Sequence, residues 1–136
     1  MNIVIDTNIF ISALIKEGVT REIITKSGLN FIFPEFEFEE IKEHKQEVIK
    51  KSQLQKRELD IILLRLLNYV KIAPIDIVYA FKGEAEEIIG KIDNDDTQFV
   101  ATALAFNAII WSEDKHFKKQ NKIKILTTKD MISLFN

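Results

Sequence analysis

The chain has 136 residues, 46% of them apolar, a net charge of −2 and no cysteine. This suits one globular domain around one core, and it excludes a disulfide framework and a thiolate metal site. The near-neutral charge gives no overall bias toward nucleic acid, and no apolar run approaches the length of a membrane span. The opening Met-Asn-Ile-Val lacks the basic region and cleavage site of a signal peptide, so the expectation is a cytoplasmic protein without membrane contact.

The first element is a short buried strand. Ile3, Val4 and Ile5 are apolar and mostly β-branched, and they run straight into Asp6. Thr7 and Asn8 can turn the chain and cap a helix from Ile9 to Lys16, although Asp6 could itself be the cap. Gly18 breaks that helix, and a second runs from Thr20 to Lys26. Leu29 to Phe33, bounded by Gly28 and Pro34, reads as a second buried strand. Pro34 suits the first turn of a helix predicted from Glu35 to about Lys50. Gln53 to Leu67 is amphipathic, with leucines recurring at three- and four-residue steps.

Val70 to Ala73 is a third strand, halted by Pro74. Ile75–Phe81 and Glu84–Ile89 read as short helices ended by Gly90. Asp93-Asn94-Asp95-Asp96 is too polar to pack, and it leads into a buried helix from Thr97 to Phe106. Ala108 to Trp111 is a fourth strand ending in Ser112-Glu113-Asp114. After the basic stretch Lys115–Lys122, Ile123 to Leu126 is a fifth strand, and Thr127-Thr128 caps a last helix reaching Phe135. Strands alternating with helices make the class α/β with a parallel sheet.

Two strands therefore end in acids, Asp6 and Asp114, and two helices open with acids. One has Glu39 and Glu40; the other has Asp93, Asp95 and Asp96. Asp93 and Asp96 are three apart and would share a face if both were helical. In open parallel sheets ligands gather beyond the carboxyl ends of the strands. If the first and fourth strands are neighbours, all these groups could converge there. Like charges brought together raise one another's pKa, and a divalent cation is the usual reason to tolerate it. With no cysteine and only His44 and His116, a hard oxygen-liganded ion such as Mg²⁺ fits better than zinc. Each acid also has a purely structural reading as a helix cap or solvated face.

These motifs resemble the PIN-domain nuclease family over essentially the whole chain. The start, Ile-Val-Ile-Asp-Thr-Asn-Ile-Phe, is similar to that family's opening strand, with Asp6 as its first metal-binding acid. Pro-Glu-Phe-Glu-Phe-Glu-Glu-Ile is similar to the second motif, in which Glu40 precedes an aliphatic residue; Glu39 could replace it. Asp96 and the Ala- and Leu-rich helix after it resemble the third motif, which Asp93 could join or take over. Ser112, Asp114 and Phe117 fit the fourth.

The resemblance implies a three-layer α/β/α sandwich with a central parallel sheet, and Mg²⁺- or Mn²⁺-dependent cleavage of RNA. Asp6, Glu40, Asp96 and Asp114, with Asp93 as a further candidate, would hold one or two ions that lower the pKa of a water and neutralise phosphate charge. Thr7, Asn8 and Ser112 would orient those ligands. Small stand-alone members related to VapC are often toxins of toxin–antitoxin pairs and usually dimeric, which implies an antitoxin partner and a homodimer. Lysines after Asp114 (Lys115, Lys118, Lys119, Lys122, Lys124), or Lys42, Lys45, Lys50, Lys51, Lys56 and Arg57 on the middle helices, could hold the RNA backbone. His44 and His116 read as surface residues. One alternative is a catalytically silent PIN-like protein- or RNA-binding module. Another is a phosphotransfer enzyme with an aspartyl nucleophile.

Overall fold

A computed structural model describes residues 1–135. Five strands form one parallel sheet: β1 (Asn2–Ile5), β2 (Asn30–Pro34), β3 (Val70–Ala73), β4 (Ile109–Trp111) and β5 (Ile125–Leu126), in the spatial order β3-β2-β1-β4-β5. The helices are α1 (Thr7–Ile15), α2 (Val19–Lys26), α3 (Glu35–Glu43), α4 (Lys45–Ser52), α5 (Lys56–Leu66), α6 (Ile75–Ala80), α7 (Lys82–Ile89), α8 (Asn94–Phe106) and α9 (Thr128–Phe135). A 3-10 turn spans Lys115–Lys119. This is the expected α/β sandwich around a parallel sheet.

The burial of β1 shows why two outer layers are needed. Successive strand side chains point to opposite faces, yet Ile3, Val4 and Ile5 are all fully buried. Both faces are therefore covered, as a parallel sheet requires. Helix α8 lies across β1, β2 and β4 and packs on α6 and α7, while α1 packs on α2, α4 and α5. No described helix is long and apolar enough to cross a membrane.

Strand β1 sits between β2 and β4, with Ile5 in register with Trp111. The chain winds outward from β1 through β2 to β3, then returns past β1 to place β4. The reversal makes a topological switch point between β1 and β4, where a crevice opens at the carboxyl ends of the strands. Asp6 follows β1 there and Ser112 follows β4. A run of aromatic rings lies beneath. Phe10 stacks on Phe33 with ring centroids 4.5 Å apart, and Phe38, Phe99 and Phe117 extend the run at 6.1 to 6.3 Å.

Several boundaries differ from the sequence reading. Asp6, rather than Thr7 or Asn8, caps α1, accepting from the Ile9 N–H at 2.8 Å. The predicted helix from Glu35 to Lys50 is kinked at His44 (φ −103°, ψ 26°), although its hydrogen bonds continue through Glu40 and Val48. No glycine or proline marks the kink. Helix α8 starts at Asn94 instead of Thr97, because the Asp93 carboxylate accepts from the N–H groups of Asp95 and Asp96 and caps it earlier. It ends at Asn107 in the left-handed conformation (φ 50°), which asparagine tolerates. Strand β5 is shorter than predicted, since the Gln120 side chain bonds both the N–H and the carbonyl of Ile123 and holds it in a turn.

Phe10 is fully buried against Phe33 and Phe38. Phe10→Ala should therefore destabilise the fold by about 3–5 kcal/mol, read as a lower urea midpoint with an unchanged denaturant slope.

Candidate metal centre

The register of β1 with β4 sets the geometry. The Asp6 N–H donates to the Trp111 carbonyl at 3.2 Å, so the residues just past both strands lie side by side. Ser112 Oγ then donates to Asp6 Oδ2 and accepts from the Asp114 N–H at 2.9 Å. One hydroxyl thus ties the two strand ends together and orients the Asp6 carboxylate. Asp6 is 5% exposed. Its pKa is raised, chiefly by burial and further by the charges of Asp114 and Glu113, against the lowering effect of the Ser112 and Ile9 bonds.

Asp96 arrives from the first turn of α8 and is 9% exposed. Burial, then the charges of Asp93 and Asp114, push its pKa up to about 6. Asp114 caps the 3-10 turn through the His116 N–H. One ligand atom each from Asp96, Asp114 and His116 lies within 4.8 Å of the others. His116 Nδ1 is 3.7 Å from Asp96 Oδ2 and 3.5 Å from Asp114 Oδ1. His116 is exposed, as expected, but it is not idle. Its place in the sequence, two residues past the strand-end acid, was the available signal.

The α3 acids separate by helix face. Glu39 pairs with Lys42 at the surface, at 3.6 Å. Glu40 is partly exposed and faces His44 Nε2 at 3.6 Å, outside the Asp96–Asp114–His116 group. Glu37, one turn earlier, is 3% exposed. Its Oε2 accepts from Thr7 Oγ at 3.3 Å, while its Oε1 is buried without a hydrogen-bond partner. Burial first, then Asp95, with a smaller contribution from Glu40, push its pKa from 4.5 up to about 8. The sequence reading missed Glu37. The signal was its position beside Phe38 and one turn before Ile41, both of which are buried.

The remaining expected residues fall into place around these. Thr7 bonds Glu37 and Ser112 bonds Asp6. Asn8 lines a cleft of about 360 Å³ with Asp6, Ser12, Glu113 and Asp114. Asp93 is committed through one oxygen to the α8 cap. Of the basic residues, Lys45 is paired with Asp60 at 2.7 Å, and Lys119 lines a cleft with Asp96 and His116. A hard divalent cation fits this donor set. The Asp96 and Asp114 carboxylates each bring an oxygen within 4.8 Å of the other and of His116, burial and neighbouring acids raise the pKa of Asp96, and Glu37 Oε1 is buried without a donor.

Comparison with known proteins identifies the family and the fold. Residues 4–133 match the family described as PIN domain. No curated protein sequence matches the chain at a significant level. Among solved structures, the chain is similar to VapBC2 from Rickettsia felis bound to a DNA fragment from its promoter. That match has 18% identity and a TM-score of 0.70, over 93% of this chain and 98% of the other. It is also similar to VapBC-1 from nontypeable Haemophilus influenzae, at 18% identity and a TM-score of 0.68, over 95% and 99% of the two chains. At this identity the likeness shows a shared fold.

Because burial raises the folded-state pKa of Glu37, the native protein holds a proton that the unfolded chain has released. Stability is then fully present below about pH 4.5 and falls as pH rises toward 8. Without divalent ions, Glu37→Gln should flatten this fall, most clearly above the Asp96 value of about 6, in a series of urea titrations at different pH.

Proposed function

The chain belongs to the PIN-domain family, and on that premise we propose that it is a metal-dependent endoribonuclease that hydrolyses RNA phosphodiester bonds with Mg²⁺ or Mn²⁺. The observation that carries this reading is that Asp114 lies close enough to both Asp6 and Asp96 for its charge to act on each, and that burial with neighbouring charge holds Asp6 and Asp96 above their ordinary pKa. Asp96, Asp114 and Asp6 would hold the ion, with Glu37 or Glu40 approaching from α3 and Asp93 from the α8 cap. When bound, such an ion supplies Lewis-acid activation of water and neutralises charge on the phosphate.

The chain's own groups do the positioning. Ser112 fixes the Asp6 carboxylate in one rotamer, and Thr7 does the same for one oxygen of Glu37. His116 places its Nδ1 at the rim of the acid cluster, 3.7 Å from Asp96 Oδ2 and 3.5 Å from Asp114 Oδ1. Lys119 supplies positive charge beside the same cleft for the RNA backbone. Hydrolysis needs no covalent nucleophile, and both Asp6 oxygens are already engaged by donors.

The fold likeness to VapBC complexes supports a toxin role with an antitoxin as protein partner, and a homodimer is the assembly expected from membership of the family. A cytoplasmic location follows from that role.

Purified protein should cut a mixed RNA pool in Mg²⁺ or Mn²⁺ and stop in chelator. Asp6→Asn keeps an oxygen for the Ile9 N–H, so it should stay folded by circular dichroism while losing at least about a hundredfold in rate. A folded wild type that binds no divalent ion and cuts nothing would overturn the proposal.

Loading should also show without catalysis. A saturating divalent ion stabilises the native state by mass action, so Mn²⁺ should raise the melting temperature of the wild type and have little effect on Asp96→Asn.

A further inference from the structure

The acid cluster opens on one side into a cleft of about 290 Å³ that hydrolysis itself does not require. One wall is apolar: Ile88 and Ile89 at the end of α7, and Ile92 in the link to α8. Ile92 is fully exposed. The other wall is the 3-10 turn, with His116 and Lys119. Asp93 and Asp96 line it between them, so the cleft is continuous with the centre described above. A branched apolar side chain standing in water beside a cluster of charges contributes nothing to the core. Ile92, with the half-buried Ile88 and Ile89, gives the cleft an apolar face opposite the charged one.

We propose that this cleft receives one unpaired nucleobase of the RNA strand, next to the phosphate held at the carboxylates. The inference rests on the nuclease reading and deepens it by naming a base subsite. Three features select this occupant. Unstacked bases are held by apolar contact and by stacking on aromatic side chains, histidine among them. The exposed imidazole of His116 stands at the rim of the cleft, with Nδ1 3.7 Å from Asp96 Oδ2 and 3.5 Å from Asp114 Oδ1. Lys119 adds the positive charge that a flanking phosphate needs. The volume lies at the small end of ligand pockets, which suits one base. Recognition through a π-face and apolar contact tolerates many bases. The enzyme would therefore require an unpaired nucleotide at this position more than a particular one.

The test compares two fluorescent probes in Ca²⁺ by anisotropy: a mixed-sequence single-stranded oligoribonucleotide, and an abasic ribose-phosphate strand of equal length and charge. The wild type should bind the base-bearing strand about tenfold more tightly. Ile92→Ser changes a fully exposed residue and should fold normally. It should remove most of that preference while leaving the abasic affinity within about twofold, as expected if backbone contacts are untouched. His116→Ala should also lower the base-to-abasic ratio, and His116→Phe, which keeps an aromatic face, should restore it. Equal binding of both strands by the wild type, or an unchanged ratio in Ile92→Ser, overturns the subsite even if the protein cuts RNA. Failure of the wild type to bind either strand overturns the nuclease reading and the subsite together.

Discussion

Everything at the candidate centre depends on one pairing, that of β1 with β4. With Ile5 opposite Trp111, the next residue of each strand meets the other, and the Ser112 hydroxyl can bond the Asp6 carboxylate. Two stretches of chain more than a hundred residues apart are joined there by main-chain and side-chain bonds at once. The other acids are placed relative to this junction: Asp114 two residues beyond it, Asp96 at the start of the helix that crosses both strands, and Glu37 against Thr7.

Such a junction carries a cost. Asp6, Glu37 and Asp96 all have raised pKa values, and burial is the leading cause for each. The fold holds these groups because the packing beneath them leaves little freedom to move away. The rings of Phe38, Phe10, Phe33, Phe99 and Phe117 form one continuous run. They come from α3, α1, β2, α8 and the 3-10 turn, the elements that bear or flank the site residues. Stacked and tilted aromatic pairs contribute beyond their buried area. The aromatic run and the acid cluster are thus two sides of one layer, the first holding in place what the second would push apart.

This division explains what the sequence could and could not reveal. β-branched and aromatic runs bounded by glycine or proline are dictated locally, so β1, β2 and β3 could be located almost to the residue. The strand-end acids could be identified for the same reason. Asp93 could not be assigned in advance as the α8 cap, since a carboxylate can cap a helix or face a ligand and the choice depends on packing. The kink at His44 leaves no mark because its hydrogen bonds persist on both sides. Glu37 was hidden among the many acids of α3. Only the sheet decides which face of that helix is buried, and so which glutamate loses its water. His116 was hidden by its exposure, which is normal for a histidine and says nothing of its neighbours.

The location of the centre follows from chain direction more than from cavity size. A cavity of about 770 Å³ lies at the opposite edge of the sheet, lined by Asn2, Asn30, Asn68, Tyr69 and Phe106 among others. Among the described residues its charged lining is Lys26 and Lys71, and Lys71 sits over the Phe106 ring. A helix joining two parallel strands runs antiparallel to them, so its N-terminus lies at the strands' carboxyl edge. α1 and α3 follow β1 and β2 there, and α8 begins there before β4. Their N–H groups present partial positive charge to the acids, and the Asp6 and Asp93 carboxylates each accept from such a terminus. The opposite edge receives helix C-termini, which would repel the same acids. Parallel connectivity therefore selects one edge for carboxylates before any residue is chosen. Having gathered them at the edge where helix N-termini favour them, the fold still leaves them short of positive charge, which is the condition a cation would satisfy.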